Sequence, residues 1–190
     1  SILEVNGLLD FLGDAIKDTI SSTDSYSSLR EHSPIFTRNR LRYSLHSPLS
    51  LDLYDMQGRH TGYSSTTNKL EEQIPETYFK QIGTVKYLFT NASTSVKIVM
   101  RGYATSSFKL EVQQLIGDKI TASTTFVDIP TTPNTTAFLN TVGDISTLSS
   151  LSIDQNNDGV SEYTLTPKIN GIITIPNDTT PPEMRLVFST

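Results

Sequence analysis

The chain has 190 residues, enough for one domain with a substantial core, and its formal net charge of -5 makes it acidic. Nucleic acid and anionic membrane surfaces attract clustered Lys and Arg, so this balance argues against both as partners. The absence of cysteine excludes disulfides, thiolate metal sites and a cysteine nucleophile. No apolar run approaches the roughly 18 residues needed to span a bilayer, and we expect no membrane insertion.

The first 20 residues carry a helical pattern. One apolar stripe recurs at helical spacing after a capping Asn6, and it consists of Leu8, Leu9, Leu12, Ile16 and Ile20. This pattern predicts a short N-terminal amphipathic helix, and the Ser-rich stretch 21–34 is typical of a linker. We assign residues 1–40 to this helix and linker, an arrangement that fits the end of an upstream domain.

From about residue 41 the apolar pattern changes to a period of two. Leu49, Leu51 and Leu53 alternate with polar residues, as in a strand that buries one face. Similar runs follow at 85–90, 95–103, 107–115, 119–127, 136–142, 146–153 and 161–166. Short connections rich in turn residues separate them, and no helix long enough for a parallel crossover intervenes. The pattern predicts a mainly β fold, an antiparallel β-sandwich of Ig-like or jelly-roll type, over residues 41–168.

Two stretches depart from the strand pattern. Residues 58–84 are polar and contain Pro75, and we predict a surface loop anchored by Ile74, Tyr78 and Phe79. Residues 169–190 contain a Pro-Pro pair that keeps the chain extended, and we predict a linker and the start of a following domain.

Residue patterns for catalysis are missing. The chain has no G-x-S-x-G nucleophile elbow and no phosphate-binding glycine loop. Its histidines, His32, His46 and His60, lack zinc-ligand spacing and are interpreted as hydrogen-bonding residues of loops or strand ends. Carboxylates such as Glu71 and Glu72 need not face one cleft, so a glycosidase pair is disfavoured. We predict no catalytic residues.

Arginines alternate in the stretch TRNRLRY. Arg38, Arg40 and Arg42 fall on one side of an extended segment. An anionic ligand is one interpretation. We favour an exposed edge strand protected by charge, because the protein is acidic and no aromatic residues are interleaved with the arginines.

The stretch SIDQNNDGVSE (152–162) places oxygen-bearing residues on alternate positions. Relative to Asp154 at position 1, Asn156 and Asp158 occupy positions 3 and 5, and Gly159 permits a tight turn at position 6. Leu165 at position 12 excludes an EF-hand, which requires a bidentate Glu there. A plain Asn-Asp-Gly hairpin turn is the alternative, but such a turn needs neither Asp154 nor Glu162.

Hard oxygen ligands at this spacing favour calcium. We predict a structural Ca²⁺ site whose ligands are Asp154, Asn156, Asp158, the Val160 carbonyl and Glu162.

Four separated motifs resemble one known group of proteins. They are LHSPLSLDLYDMQGRHTG (45–62), EEQIPETYF (71–79), IDQNNDGVSEYTLTP (153–167) and DTTPPE (178–183). Together they resemble β-sandwich accessory modules of secreted bacterial and archaeal multidomain proteins. In that group the module often follows an α/β-hydrolase (lipase or esterase-like) domain and precedes Ig-like domains. The group's acidic loop is usually richer in Asp and Gly, so weaker calcium binding is expected here.

The resemblance implies a non-catalytic accessory module of a secreted or cell-surface protein, stabilised by calcium and supporting neighbouring domains of its own chain. The chain would then be part of a larger protein, which could be a hydrolase. An alternative is a carbohydrate- or surface-binding module that contacts a polysaccharide or cell surface through Tyr63 and Tyr78, although the absence of Trp weakens a sugar-stacking platform.

Overall fold

The protein is described by a computed structural model that covers residues 39–46 and 48–176. The predicted N-terminal helix and most of the predicted C-terminal linker lie outside the described residues. Within them, the chain is mainly β and forms two sheets that are almost entirely antiparallel. The predicted antiparallel sandwich is confirmed.

Thirteen strands and one 3-10 turn make up the described part of the chain. The first seven strands are β1 Asn39–His46, β2 Asp52–Asp55, β3 His60–Ser64, β4 Lys69–Glu72, β5 Tyr78–Ile82, β6 Val85–Asn91 and β7 Ser95–Arg101. The others are β8 Ser106–Ile116, β9 Lys119–Thr131, β10 Thr136–Val142, β11 Leu151–Asp154, β12 Tyr163–Leu165 and β13 Gly171–Ile173, with the 3-10 turn at Ile145–Thr147.

The strands fall into a six-stranded sheet, in the order β13-β9-β8-β1-β6-β5, and a seven-stranded sheet, in the order β12-β11-β10-β7-β2-β3-β4. One hydrophobic cluster contains residues of both sheets, as expected when alternating strands turn their apolar faces toward each other. The alternating Leu49, Leu51 and Leu53 all belong to this cluster, as predicted. Burial in it raises the pKa of the Tyr43 hydroxyl far above its usual range, against the opposing effect of the Thr141 hydroxyl.

For Arg40 and Arg42 the prediction of an edge strand is wrong, whereas Arg38 lies outside the described residues. Strand β1 is central in the six-stranded sheet, paired with β8 on one side and β6 on the other. Arg42 donates from Nε to Gln113 Oε1 at 2.8 Å, and Arg40 donates from Nη2 to the Gly117 carbonyl at 3.1 Å. Arg40 and Arg42 therefore bond to β8 and to the turn that follows it, although the sequence pattern assigned them to an exposed edge.

The prediction of a long loop over residues 58–84 is also wrong. This stretch contains β3, β4 and β5, and the chain passes between them from the seven-stranded sheet to the six-stranded sheet. The Thr61 and Thr77 hydroxyls hydrogen bond at 2.7 Å, which joins β3 to the connection before β5. Ile74 and Phe79 are buried, as anchors should be. The sequence pattern did not reveal β3 and β4 because the buried residues of β3 are His60, Thr61 and Gly62, none of them a large apolar residue, and β4 has no buried residue.

The six-stranded sheet also includes a strand within the predicted C-terminal linker. Strand β13 pairs in parallel with β9, beyond the predicted module boundary at residue 168. Two hydrogen bonds between Asn170 and Ser123 lie directly before this pairing. The Asn170 backbone N–H donates to the Ser123 carbonyl at 2.5 Å, and Asn170 Oδ1 accepts from the Ser123 N–H at 3.0 Å. The predicted run 146–153 starts as the 3-10 turn and becomes a strand only at Leu151.

The β2–β3 hairpin is closed by one carboxylate. Asp55 accepts backbone N–H groups from Gln57 at 3.0 Å and Arg59 at 2.9 Å, and its other oxygen accepts Arg59 Nε at 2.6 Å. Burial alone would raise the pKa of Asp55, but the hydrogen bonds and charge of Arg59 outweigh it, and the pKa is lowered. The ionised carboxylate therefore stabilises the hairpin.

Asp55→Asn is expected to lower the melting temperature by several degrees at neutral pH. Because the pKa of Asp55 is lowered by folding, its contribution is present above the unfolded value of about 4 and disappears as the pH falls through the lower folded value. The difference in melting temperature from the unmodified chain should shrink in acid. Asp128→Asn, at an exposed residue of β9, is the control and should show no such trend. A pH-independent deficit for Asp55→Asn would contradict this account of the hairpin.

Candidate metal centre

The acidic loop lies between β11 and β12. Asp154, the last residue of β11, pairs across the sheet with Thr136 at the start of β10. Asn157 and Gly159 have positive φ angles of 61° and 88°, a conformation that Asn and Gly adopt more readily than other residues. These two residues turn the chain back within a few positions, which brings Asp154 and Glu162 together.

Loop N–H groups fix the orientation of the Asp154 carboxylate. Oδ1 accepts from the Asn157 N–H at 2.6 Å, and Oδ2 accepts from the Gly159 N–H at 2.9 Å. Glu162 Oε2 accepts the Gln155 N–H at 2.7 Å from the far end of the loop. Each oxygen keeps a further lone pair that can bind a cation. The backbone therefore orders these carboxylates before any ion binds.

Three carboxylates meet at this loop. One oxygen from each of Asp154, Asp158 and Glu162 lies within 4.8 Å of the others; Asp154 is buried, and the other two are exposed. Within 39–46 and 48–176, no Lys, Arg or His forms an ion pair with any of them. Two like charges about 4 Å apart repel by about 1 kcal/mol even in water. A bound cation would turn this repulsion into attraction.

The structure brings together three of the five predicted ligands. The Asn156 amide bonds to Asp158 through both its groups: Oδ1 accepts the Asp158 N–H at 2.9 Å and Nδ2 donates to Asp158 Oδ2 at 3.0 Å. The Val160 N–H donates to Asp158 Oδ1 at 2.8 Å. Asn156 and the Val160 carbonyl as metal ligands stay predictions.

The donor set decides which ions suit the loop. Carboxylate and carbonyl oxygens favour Ca²⁺ or Mg²⁺ over zinc or copper, which prefer sulfur and nitrogen. Two of the three carboxylates face solvent, so water can complete the six to eight oxygens that Ca²⁺ takes. Mg²⁺ demands strict octahedral geometry at shorter distances, which an open loop meets less readily.

The loop is joined to the connection between the two sheets. Thr132 Oγ1 donates to the Gln155 carbonyl at 3.1 Å, and Gln155 Nε2 donates to the Pro130 carbonyl at 3.3 Å. Thr132 lies in the turn that carries the chain from β9 of the six-stranded sheet to β10 of the seven-stranded sheet. The same turn accepts the Gly102 N–H at the Thr135 carbonyl, 2.9 Å away. Ordering the acidic loop therefore also orders this end of the sandwich.

Comparisons of the chain with protein-family models, with curated proteins and with solved structures found no match. No helix among the described residues has the length and apolar character needed to cross a membrane. The function is therefore inferred from the residues themselves.

The two tyrosines predicted to contact a ligand lie in different sheets. Tyr63 is on β3 of the seven-stranded sheet and is 53% exposed. Tyr78 is on β5 of the six-stranded sheet, with its ring 6.0 Å from that of Phe89. Burial, and then the nearby charge of Glu72, raise the pKa of Tyr78. A ligand contact at either tyrosine stays a prediction.

A buried ionic cluster was missed from the sequence. His60, interpreted as a loop or strand-end residue, is only 7% exposed and lies between the carboxylates of Asp52 and Glu71. These residues come from three adjacent strands, and their separations of 8 and 11 positions match no local motif. The sequence offers one partial indication of this cluster. The LSLDLY alternation places Asp52 on the face of β2 opposite the leucine core, where the cluster lies. His46, by contrast, is exposed at the end of β1, as predicted.

Proposed function

We propose that this chain is a non-catalytic β-sandwich module that uses calcium as a structural ion and supports neighbouring domains of the same polypeptide. The observation that carries the proposal is the convergence of Asp154, Asp158 and Glu162 within 4.8 Å, with no cationic side chain of the described region paired to them. A cation bound among these three carboxylates would replace their mutual repulsion by attraction and so stabilise the folded chain.

The hydrogen bonds of the loop support a structural role for the ion. The loop contacts the turn between β9 and β10 through Gln155, so an ion held there stabilises the sandwich where the chain crosses between sheets. A catalytic metal would also need an adjacent group to handle protons. His60 does not adjoin the loop, because its strand β3 is separated from β11 by β10, β7 and β2 in the sheet.

Placement of the module outside the cell, in a secreted or cell-surface protein, is part of the proposal. Calcium sites of extracellular modules bind with dissociation constants of about 0.1 to 1 mM, and they fill only where calcium is abundant. An open loop with two exposed carboxylates belongs in this range. The resemblance of four motifs to accessory modules of multidomain proteins supports both this location and the neighbouring domains as partners.

Thermal unfolding with and without calcium tests the proposal. At a calcium concentration about 100 times the dissociation constant, an ion that binds only the folded chain adds about 2.7 kcal/mol. We expect the melting temperature to rise by roughly 5 to 10 °C between EDTA and calcium. Magnesium at the same concentration is the control and should raise it less. Equal melting temperatures in EDTA and calcium would disprove the calcium claim.

A further inference from the structure

His60 holds three strands of the seven-stranded sheet together through its two ring nitrogens. Nε2 lies 3.0 Å from Asp52 Oδ1 on β2, and Nδ1 lies 2.9 Å from Glu71 Oε2 on β4. The His60 side chain is 9% exposed, that of Asp52 7% and that of Glu71 21%. Strand β3, which carries His60, lies between β2 and β4 in the sheet.

Two carboxylates at hydrogen-bond distance need two N–H donors. A neutral imidazole has one N–H and one bare lone pair, so one of the two contacts would set a nitrogen lone pair against a carboxylate. An imidazolium donates at both nitrogens and satisfies both contacts. The geometry therefore requires the charged ring, provided that both carboxyl groups are ionised.

The surroundings favour ionised carboxylates. Asp52 Oδ2 accepts the Ser50 hydroxyl at 2.7 Å and lies 3.6 Å from Arg101 Nη1, an ion pair with β7. Glu71 accepts two further hydrogen bonds, from the Thr67 hydroxyl to Oε1 at 3.0 Å and from Gln73 Nε2 to Oε2 at 3.4 Å. With Arg101 included, the charged ring brings the four groups to zero net charge, whereas a neutral ring leaves one negative charge in excess.

Close approach at this cluster depends on a residue without a side chain. A Cβ at Gly62 would lie 2.8 Å from Asp52 Oδ1 and 3.0 Å from His60 Nε2, and the φ of +149° is one that other residues rarely adopt. Tyr54 covers the ring from β2, with the ring centroids 4.9 Å apart. The next charge on β7, Lys97, is directed to another partner, because its Nζ lies over the Phe138 ring.

We propose that His60 is a proton-dependent clamp, which as an imidazolium ties β2 and β4 to β3 and which loosens the edge strand β4 when it loses a proton. This role is separate from that of the calcium loop. The loop connects β11 and β12, which lie at the opposite edge of the seven-stranded sheet from β4. An imidazolium can donate to both carboxylates, whereas a neutral ring can donate to only one, so loss of the ring proton would break one of the two contacts. The clamp should therefore weaken in alkali.

NMR of the unmodified, isotope-labelled chain tests the clamp directly. At about pH 6 we expect two slowly exchanging ring N–H protons on His60, one at each nitrogen. Hydrogen exchange of the Lys69–Glu72 amides of β4 is compared with that of the Leu110 and Val112 amides of β8, after correction for intrinsic exchange. Between about pH 6 and pH 9 the protection of the β4 amides should fall about tenfold relative to that of the β8 amides. A single ring proton at pH 6, or a constant protection ratio, would overturn the proposal.

His60→Gln and His46→Gln form a matched pair for thermal unfolding. Glutamine cannot carry the charge, so His60→Gln should lower the melting temperature most at about pH 6 and progressively less toward pH 9. His46→Gln removes an exposed histidine and should show no such trend. A pH-independent difference for His60→Gln would contradict the clamp. If that variant does not fold, the NMR measurements on the unmodified chain decide the question.

Discussion

Replacing Gly102 with alanine is expected to lower the free energy of unfolding by about 3 kcal/mol or more. A Cβ at this position would lie 2.0 Å from the Thr132 carbonyl oxygen and 2.9 Å from Thr131 Oγ1. The nearer atom belongs to the backbone, so rotation of a side chain cannot relieve the contact. Movement of the turn would also strain the hydrogen bond from the Gly102 N–H to the Thr135 carbonyl.

Denaturant unfolding measures this effect, with Gly83→Ala as the matched control. Gly83 has a φ of +59°, and a Cβ at this position would meet no atom within 4 Å, so its replacement adds backbone strain without a clash. That strain costs about 1 kcal/mol. We expect the Gly102 variant to be clearly the less stable of the two. Similar unfolding free energies for both variants would show that the turn moves aside freely, contrary to the packing described here.

Asp154→Asn is expected to destabilise the chain less than Gly102→Ala in EDTA but comparably or more in calcium, because it should act in two parts. In EDTA the free energy of unfolding of the variant should be lower by about 2 kcal/mol. An amide oxygen replaces a charged acceptor, and an NH₂ group faces the Gly159 N–H. In calcium at about 100 times the dissociation constant it should also lose most of the stabilisation by the ion, which is about 2.7 kcal/mol for the unmodified chain. Unfolding in urea under both conditions separates the two contributions.

Asp158→Asn and Asp128→Asn are the controls for this experiment. Asp158 is exposed, and its replacement should reduce the calcium effect while changing stability in EDTA by less than Asp154→Asn does. Asp128 is an exposed residue of β9 outside the loop, and its replacement should leave the calcium effect intact. If calcium stabilised Asp154→Asn as much as the unmodified chain, the Asp154 carboxylate would not be a ligand of the ion.

Much of the fold could be predicted from the sequence because it is encoded locally. The alternation around Leu51 and in the other apolar runs identifies strands that bury one face. Strand β1 was misassigned because Arg40 and Arg42 suggested an exposed edge, and the Arg42 partner Gln113 on β8 is distant in sequence. Burial of long polar side chains by cross-strand hydrogen bonds leaves no periodic signal.

The two ionic sites also differ in how locally the sequence encodes them. The acidic loop lies within nine consecutive residues, so the spacing of Asp154, Asp158 and Glu162 was enough to predict their convergence. The clamp at His60 depends on the order β2-β3-β4 in the sheet, which brings together Asp52 and Glu71. Its partners could be recognised only after the strand pairing was known.

Calorimetric titration of calcium into the metal-free chain tests the central claim most directly. We predict binding of one ion per chain with a dissociation constant near or above about 0.1 mM, and a greatly weakened heat signal in Asp158→Asn. Magnesium should bind more weakly than calcium. The absence of calcium binding by the unmodified chain, or binding unchanged by Asp158→Asn, would contradict the assignment of the acidic loop as the calcium site.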